Sequence, residues 1–133
     1  MRYPACVPSL HLFCRMMADD IRLRVLRMLT ESDACVCELS DALDLPQSTL
    51  SNHLAKLRAA GMVRIRRDGA WVYYGIAPKW SKTVSEAFHL FGKDDQLRQQ
   101  VKQDKARFRK RLAMRIGGKC YHSYGQLNAR SLK

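Results

Sequence analysis

The chain has 133 residues, 47% of them hydrophobic, which fits about one domain and the roughly 45 to 50% apolar content of globular proteins, and excludes wholesale disorder. Its 24 Lys plus Arg against 12 Asp plus Glu give a formal charge of +12, so a polyanion is the expected partner, nucleic acid ahead of a membrane surface, because neutralising phosphates releases counterions. No run approaches the roughly 18 apolar residues of a spanning helix, Pro8 and His11 break the N-terminal apolar stretch, and Phe13 before Cys14 argues against lipoprotein processing; the five cysteines are therefore expected as thiols in a reducing cytosol, with no membrane partner.

Three segments are expected: an N-terminal arm over 1–9, a folded unit over 10–92, and a basic C-terminal helix with a mobile tail over 93–133, where charge density rises and aromatics thin out. From Leu10 to Leu29 the residues Leu10, Phe13, Met17, Ile21, Val25 and Leu29 recur at helical spacing. Asp19-Asp20 marks a new helix start inside this run, so two helices are predicted. A short helix over 38–43 follows, ending near Asp44, and Pro46 biases Leu45 away from helical geometry. Leu50, Leu54 and Leu57 then describe one amphipathic helix closed by Gly61. Residues 62–67 and 71–76 alternate around Asp68-Gly69, a hairpin signal with a basic tip. Val84, Ala87, Phe88 and Phe91 form a narrow stripe after Pro78, and Leu97, Val101, Phe108 and Leu112 carry helical periodicity to about Ile116. Gly117-Gly118 stops it.

Two short helices joined by a tight turn and followed by a basic hairpin make a winged helix-turn-helix, mainly α with a β-hairpin wing (α+β). The second helix of the pair places Gln47, Ser48, Thr49, Ser51, Asn52 and Lys56 where side chains reach base edges and phosphates, while its leucines hold the body. Arg64, Arg66 and Arg67 on the hairpin suit phosphate or minor-groove contact. His53 lies one step from the leucine row and reads equally as a packed or capping residue and as a base reader.

Cys35-Val36-Cys37-Glu38-Leu39, the run from Leu45 to Leu54, and Asp68-Gly69-Ala70-Trp71-Val72-Tyr73-Tyr74 together resemble the ArsR/SmtB family of metalloregulatory repressors, over about residues 12–91. Met17-Ala18-Asp19-Asp20-Ile21-Arg22-Leu23 resembles the family's junction between first and second helices. The resemblance implies a homodimer pairing through its first and last helices, which represses its operon on double-stranded operator DNA until an inducer binds. It implies no organic cofactor and no protein substrate.

Cys35 and Cys37 open the first helix of the DNA-reading pair. In an intact helix such a spacing points two side chains about 200° apart, but with Cys35 at the N-cap its backbone is extended and the sulfurs can converge. The helix N-terminus also favours thiolate, the form that binds soft ions. The resemblance implies soft-ion sensing here, in the arsenic-responsive branch. That branch commonly has a further cysteine three residues after the second, where this chain has Ser40. Trivalent arsenic or antimony prefers three sulfurs, so the expected metal set is Cys35, Cys37 and Cys120, the last on a tail that folds back onto its own or the partner subunit. Cys6 is the rival third ligand, since cadmium- and lead-responsive relatives recruit N-terminal cysteines. Cys14 reads as part of the first helix's apolar face. His122 would add a nitrogen for zinc or cadmium, whereas Glu86 and His89 do not reproduce the family's zinc site on its last helix.

Other readings keep the fold and change the signal: a redox- or persulfide-sensing repressor, or a cadmium- or lead-sensing one. From a different class, the basic segment 102–119 suggests a constitutive nucleic-acid-coating protein, against a solvated dimer helix whose apolar stripe pairs with its twin. No phosphate-cradling loop, paired carboxylates or nucleophile with a partner base argues for an enzyme.

Overall fold

The computed structural model describes residues 9–92 and 96–120. α1 (Leu10–Met17) begins where the Ser9 hydroxyl accepts the Leu12 N–H at 3.0 Å, and α2 (Asp20–Leu29) where Asp19 accepts the Arg22 N–H at 3.0 Å. Each cap satisfies a donor that the first helical turn leaves without an intrahelical partner, which is why the chain breaks at Asp19-Asp20. α1 buries Leu12 and rests Phe13, Met16 and Met17 against the core. Leu10 and Cys14, one turn apart, point outward, so Cys14 is exposed in this chain and is not part of the inward apolar face that the periodicity suggested.

α3 (Val36–Leu43) and α4 (Gln47–Ala59) follow. α3 starts two residues before the predicted helix, because Cys35 is extended at its N-cap (φ −82°, ψ 165°). Asp44 closes it in the left-handed region at φ 53° and Pro46 sits at φ −60° before Gln47. Asp is among the few residues other than glycine that tolerate φ above zero, and proline's fixed φ suits a helix entry. β1 (Val63–Asp68) and β2 (Trp71–Ile76) pair antiparallel from Val63↔Ile76 to Asp68↔Trp71. The turn is Gly69-Ala70, one residue beyond Asp68-Gly69: Gly69, at φ 61°, takes the first central position, where a two-residue hairpin needs positive φ. α5 (Pro78–Phe91) carries Trp80, Val84 and Phe88 into the core, and α6 (Arg98–Leu112) completes the described elements.

The fold is a winged helix-turn-helix, with Leu50, Leu54 and Leu57 of α4 fully buried against α2 and α3. α6 joins the same core: Val101 and Phe108 are buried in it, and Leu97 and Leu112 pack on it. The apolar stripe of the basic segment is thus occupied within its own chain and does not wait for a twin. The polar side of α6 is equally committed. Asp104, fully buried, takes Arg24 Nε at 2.7 Å and Arg107 at 2.9 Å, and Arg111 Nε donates to Asp41 Oδ2 at 2.7 Å with both side chains fully buried. Such pairs tolerate burial because each charge is met by another and by hydrogen bonds. The helix ends at Leu112, short of the expected Ile116, and the chain then turns back: Ile116 bridges Lys119, with Gly117 at φ 59° and Gly118 at φ 76°.

Candidate thiol centre and nucleic-acid interface

The returning chain carries Cys120 to the start of α3. Arg115 directs it there, donating through both Nε and its terminal nitrogen to the two oxygens of Glu38 at 2.8 Å each, and to the Asp33 carbonyl at 2.7 Å. Glu38 is the third residue of α3, and its carboxylate also accepts the Cys35 N–H at 3.1 Å, the reach-back that fixes a helix start. Cys120 N–H in turn donates to the Tyr73 hydroxyl at 2.7 Å.

Three sulfurs meet as a result. Cys35 Sγ lies 2.8 Å from Cys37 Sγ and 3.3 Å from Cys120 Sγ, and Cys37 Sγ lies 3.6 Å from Cys120 Sγ. The three residues are 3%, 6% and 0% exposed and form a small cluster of their own with Tyr73, roofed by Trp71. Cys120 is therefore a buried residue held by a defined turn, not part of a mobile tail. An ion about 2.3 Å from each sulfur, with sulfur–ion–sulfur angles near a right angle, sets sulfurs about 3.3 Å apart, close to the observed triangle. Among the described residues no His, Asp, Glu or further Cys joins the three sulfurs. The set fits a three-coordinate, sulfur-seeking ion better than zinc, which takes four ligands in structural sites.

The electrostatics divide the pair at the helix start. The hydrogen bond from Cys35 pulls the Cys37 thiol down to about 7, with help from Cys120 and Arg111 against the cost of burial. The same bond, together with burial and Glu38, pushes Cys35 up, so it keeps its proton. Cys35 is thereby the thiol donor and Cys37 the sulfur poised to ionise near neutral pH. Arg111 places a guanidinium nitrogen 3.8 Å from Cys120 Sγ.

Gln47, Ser48, Ser51, Asn52 and Lys56 are exposed along α4, and Thr49 is half-buried. Arg64, Arg66 and Arg67 are exposed on β1; Arg64 lies 3.5 Å from Asp33, and Arg66 stacks 4.6 Å above the Tyr73 ring. His53 is packed, with Nδ1 3.3 Å from Arg22 and 3.8 Å from Asp19. Glu86 and His89 are exposed on α5. Cys6 and His122 lie outside the described residues.

The sequence signature described as "Bacterial regulatory protein, arsR family" matches residues 19–64. The arsenical resistance operon repressor of Escherichia coli is 39% identical over 79 residues, covering 56% of this chain and 68% of that protein. The chain belongs to the arsR family. Arsenic resistance transcriptional regulator ArsR1 of Pseudomonas putida is 48% identical over 64 residues, 47% of this chain and 50% of that protein, so the chain spans half the length of that relative. The structure of HlyU from Vibrio cholerae superposes with a TM-score of 0.57 at 34% identity, covering 61% of this chain and 89% of HlyU. The family it belongs to is one of bacterial regulatory proteins. Among the described residues no helix is long and apolar enough to cross a membrane.

The family signature holds Cys35 and Cys37 but stops before the wing is complete, so Tyr73, Arg111, Arg115 and Cys120 all lie beyond it. Of these, sequence reasoning found only Cys120. Tyr73 looked like one more residue of an alternating strand, and Arg111 and Arg115 like members of a solvated basic face. The usable signal for the arginines was Glu38 and Asp41, two acids on the inward side of a short helix, which need cations from elsewhere.

Proposed function

We propose that this chain is a metalloid-responsive transcriptional repressor that binds operator DNA as a homodimer and lets go when trivalent arsenic or antimony is bound by Cys35, Cys37 and Cys120. The convergence of three buried sulfurs from two distant parts of the chain carries this reading. In chemical terms three sulfurs replace the three hydroxyl groups of arsenous acid. Three thiol groups, any ionised one among them taking a proton from solvent, release three water molecules and leave a neutral tris-thiolate that burial does not penalise as a charge. A divalent ion on three thiolates would leave a net negative charge there.

On the DNA side, Gln47, Ser48, Thr49, Ser51, Asn52 and Lys56 would face the major groove, with Arg64, Arg66 and Arg67 on flanking phosphates. The homodimer reading is supported by the outer faces of α1 and α5, where Leu10, Leu90 and Phe91 are 78%, 75% and 65% exposed. The coating-protein reading loses ground because Arg107, Arg111 and Arg115 are engaged with acids of the same chain.

Release requires that the metalloid bind the off-DNA conformation more tightly, by about 1 to 3 kcal/mol in typical couplings. Fluorescence anisotropy of the reduced protein on the promoter DNA upstream of its own coding sequence, with arsenite titrated into the complex, tests this directly. Loss of binding at one arsenite per chain is the expected result. Binding that ignores arsenite but is lost with cadmium, lead or an oxidant would move the signal, and binding no tighter than to random DNA would overturn the repressor.

A further inference from the structure

Resting on that reading of the thiols, we propose that the wing is the element through which their occupation acts on DNA, with Tyr73 as the positioning residue that transmits it. The two segments that bear the sulfurs are tied to neighbouring residues of one strand. Ala34, just before Cys35, exchanges both backbone hydrogen bonds with Tyr74, at 3.0 and 2.8 Å. Cys120, from the other side, donates its N–H to the hydroxyl of Tyr73 at 2.7 Å. β2 therefore spans the thiol triangle, and a displacement of Cys120 against the head of α3 has to be taken up by this strand.

From β2 the path to the DNA-facing surface is one residue long. Tyr73 is 1% exposed and pairs across the hairpin with Arg66, whose guanidinium lies 4.6 Å from the ring centroid. A cation held on a ring face moves with the ring. A second tie runs beside it: Lys119, the residue before Cys120, reaches Asp68 Oδ1 at the wing turn, 3.4 Å away. The turn that delivers the third sulfur is thus fastened to the hairpin at its tip and at its middle. α4 packs on α2, α3 and β1, whereas the ties to the sulfur-bearing segments described above belong to β2 and the wing turn. Ligation that evens the sulfur separations widens Cys35–Cys37 from 2.8 Å, draws Cys37 and Cys120 together from 3.6 Å and leaves Cys35–Cys120 at 3.3 Å, so Cys120 moves against α3, pulls on Tyr73 and Lys119, and the basic hairpin shifts with them.

Two measurements on the full reduced chain test this, with arsenite uptake per chain determined separately after desalting. In the first, the salt dependence of binding to the promoter duplex is compared with and without arsenite. Each phosphate contact contributes about 0.9 to the slope of log K against log salt, so the expected result is a slope lower by roughly one to three with arsenite, for three wing arginines. In the second, Tyr73→Phe keeps the ring under Arg66 and removes the acceptor for Cys120. Taking each protein's own arsenite-free affinity as reference, the factor by which arsenite weakens DNA binding should shrink about two- to tenfold, the range one hydrogen bond sets. An unchanged salt slope in wild type, or a Tyr73→Phe protein that takes up arsenite and releases DNA by the wild-type factor, would overturn the wing route while leaving the thiol site standing. Wild-type protein that takes up no arsenite would instead overturn the thiol reading itself, and the wing route with it.

Discussion

Arg115 and Glu38 face each other across 77 residues of sequence and form a two-pronged ion pair, 2.8 Å at each prong, with Glu38 fully buried. The same carboxylate fixes the start of α3 by accepting the Cys35 N–H. One acid therefore holds both ends of the thiol centre: the helix bearing two sulfurs and the turn bearing the third.

Removing Arg115 should accordingly damage stability and sensing together. Truncating one partner of a buried pair costs roughly 3–5 kcal/mol; with Arg115 17% exposed, the lower end applies to Arg115→Ala. Denaturant unfolding with the slope unchanged and the midpoint lowered is the expected result, alongside weaker arsenite uptake. A variant as stable as wild type would mean that the pair is not what docks this turn.

Cys120→Ser should keep DNA binding and lose response. Losing a ligand must cost more than the roughly 10–100-fold typical of losing a group that merely supports one. Titrating arsenite into the preformed DNA complex of Cys120→Ser, beside Cys35→Ser and Cys37→Ser, checks this. A wild-type response from Cys120→Ser would return the third position to Cys6.

Arsenite association should speed up as pH rises through about 7. Cys37 is held down to about 7 from an ordinary 9.0 by the hydrogen bond from Cys35, so below that pH it is protonated and above it a thiolate; Cys35 is shifted the other way and stays protonated. Stopped-flow mixing across pH 6 to roughly 10, a range bracketing that value and the ordinary 9.0, should give a midpoint near the lower one. A midpoint near the free-thiol value would contradict the assigned roles. In Cys35→Ala, which removes the donor, the midpoint should rise.

The two groups proposed to contact DNA should fail differently. Asn52→Ala is expected to narrow the gap between the promoter and random duplexes, by about 1–3 kcal/mol if the contact is bidentate. Arg67→Ala should weaken both duplexes alike and lower the salt slope by about 0.9. Paired salt titrations on the two duplexes separate these outcomes; equal behaviour of both variants would remove the division between base reading and phosphate holding.

Local chemistry was enough to read much of this protein from its residues. Asp19 caps α2, Pro46 opens α4, and Gly61, at φ 74°, follows its end; each works within one turn of chain, where the residue type dictates the geometry. The leucine row of α4 follows from helical period alone, and the convergence of Cys35 with Cys37 follows once the first of them is an N-cap. Even the hairpin was displaced by only one residue, to Gly69-Ala70.

What the sequence alone determined is therefore the winged helix-turn-helix and the two thiols at the head of α3, because caps, turns and periodicities act between near neighbours. Only the tertiary structure decided where the basic segment goes. Arg111 and Arg115 have the same composition-level appearance as solvated cations, and nothing in their spacing names Asp41 and Glu38 as partners. Buried acids on α3 draw those arginines in, and that long-range pairing bends the chain back so that Cys120 completes the thiol centre under Tyr73.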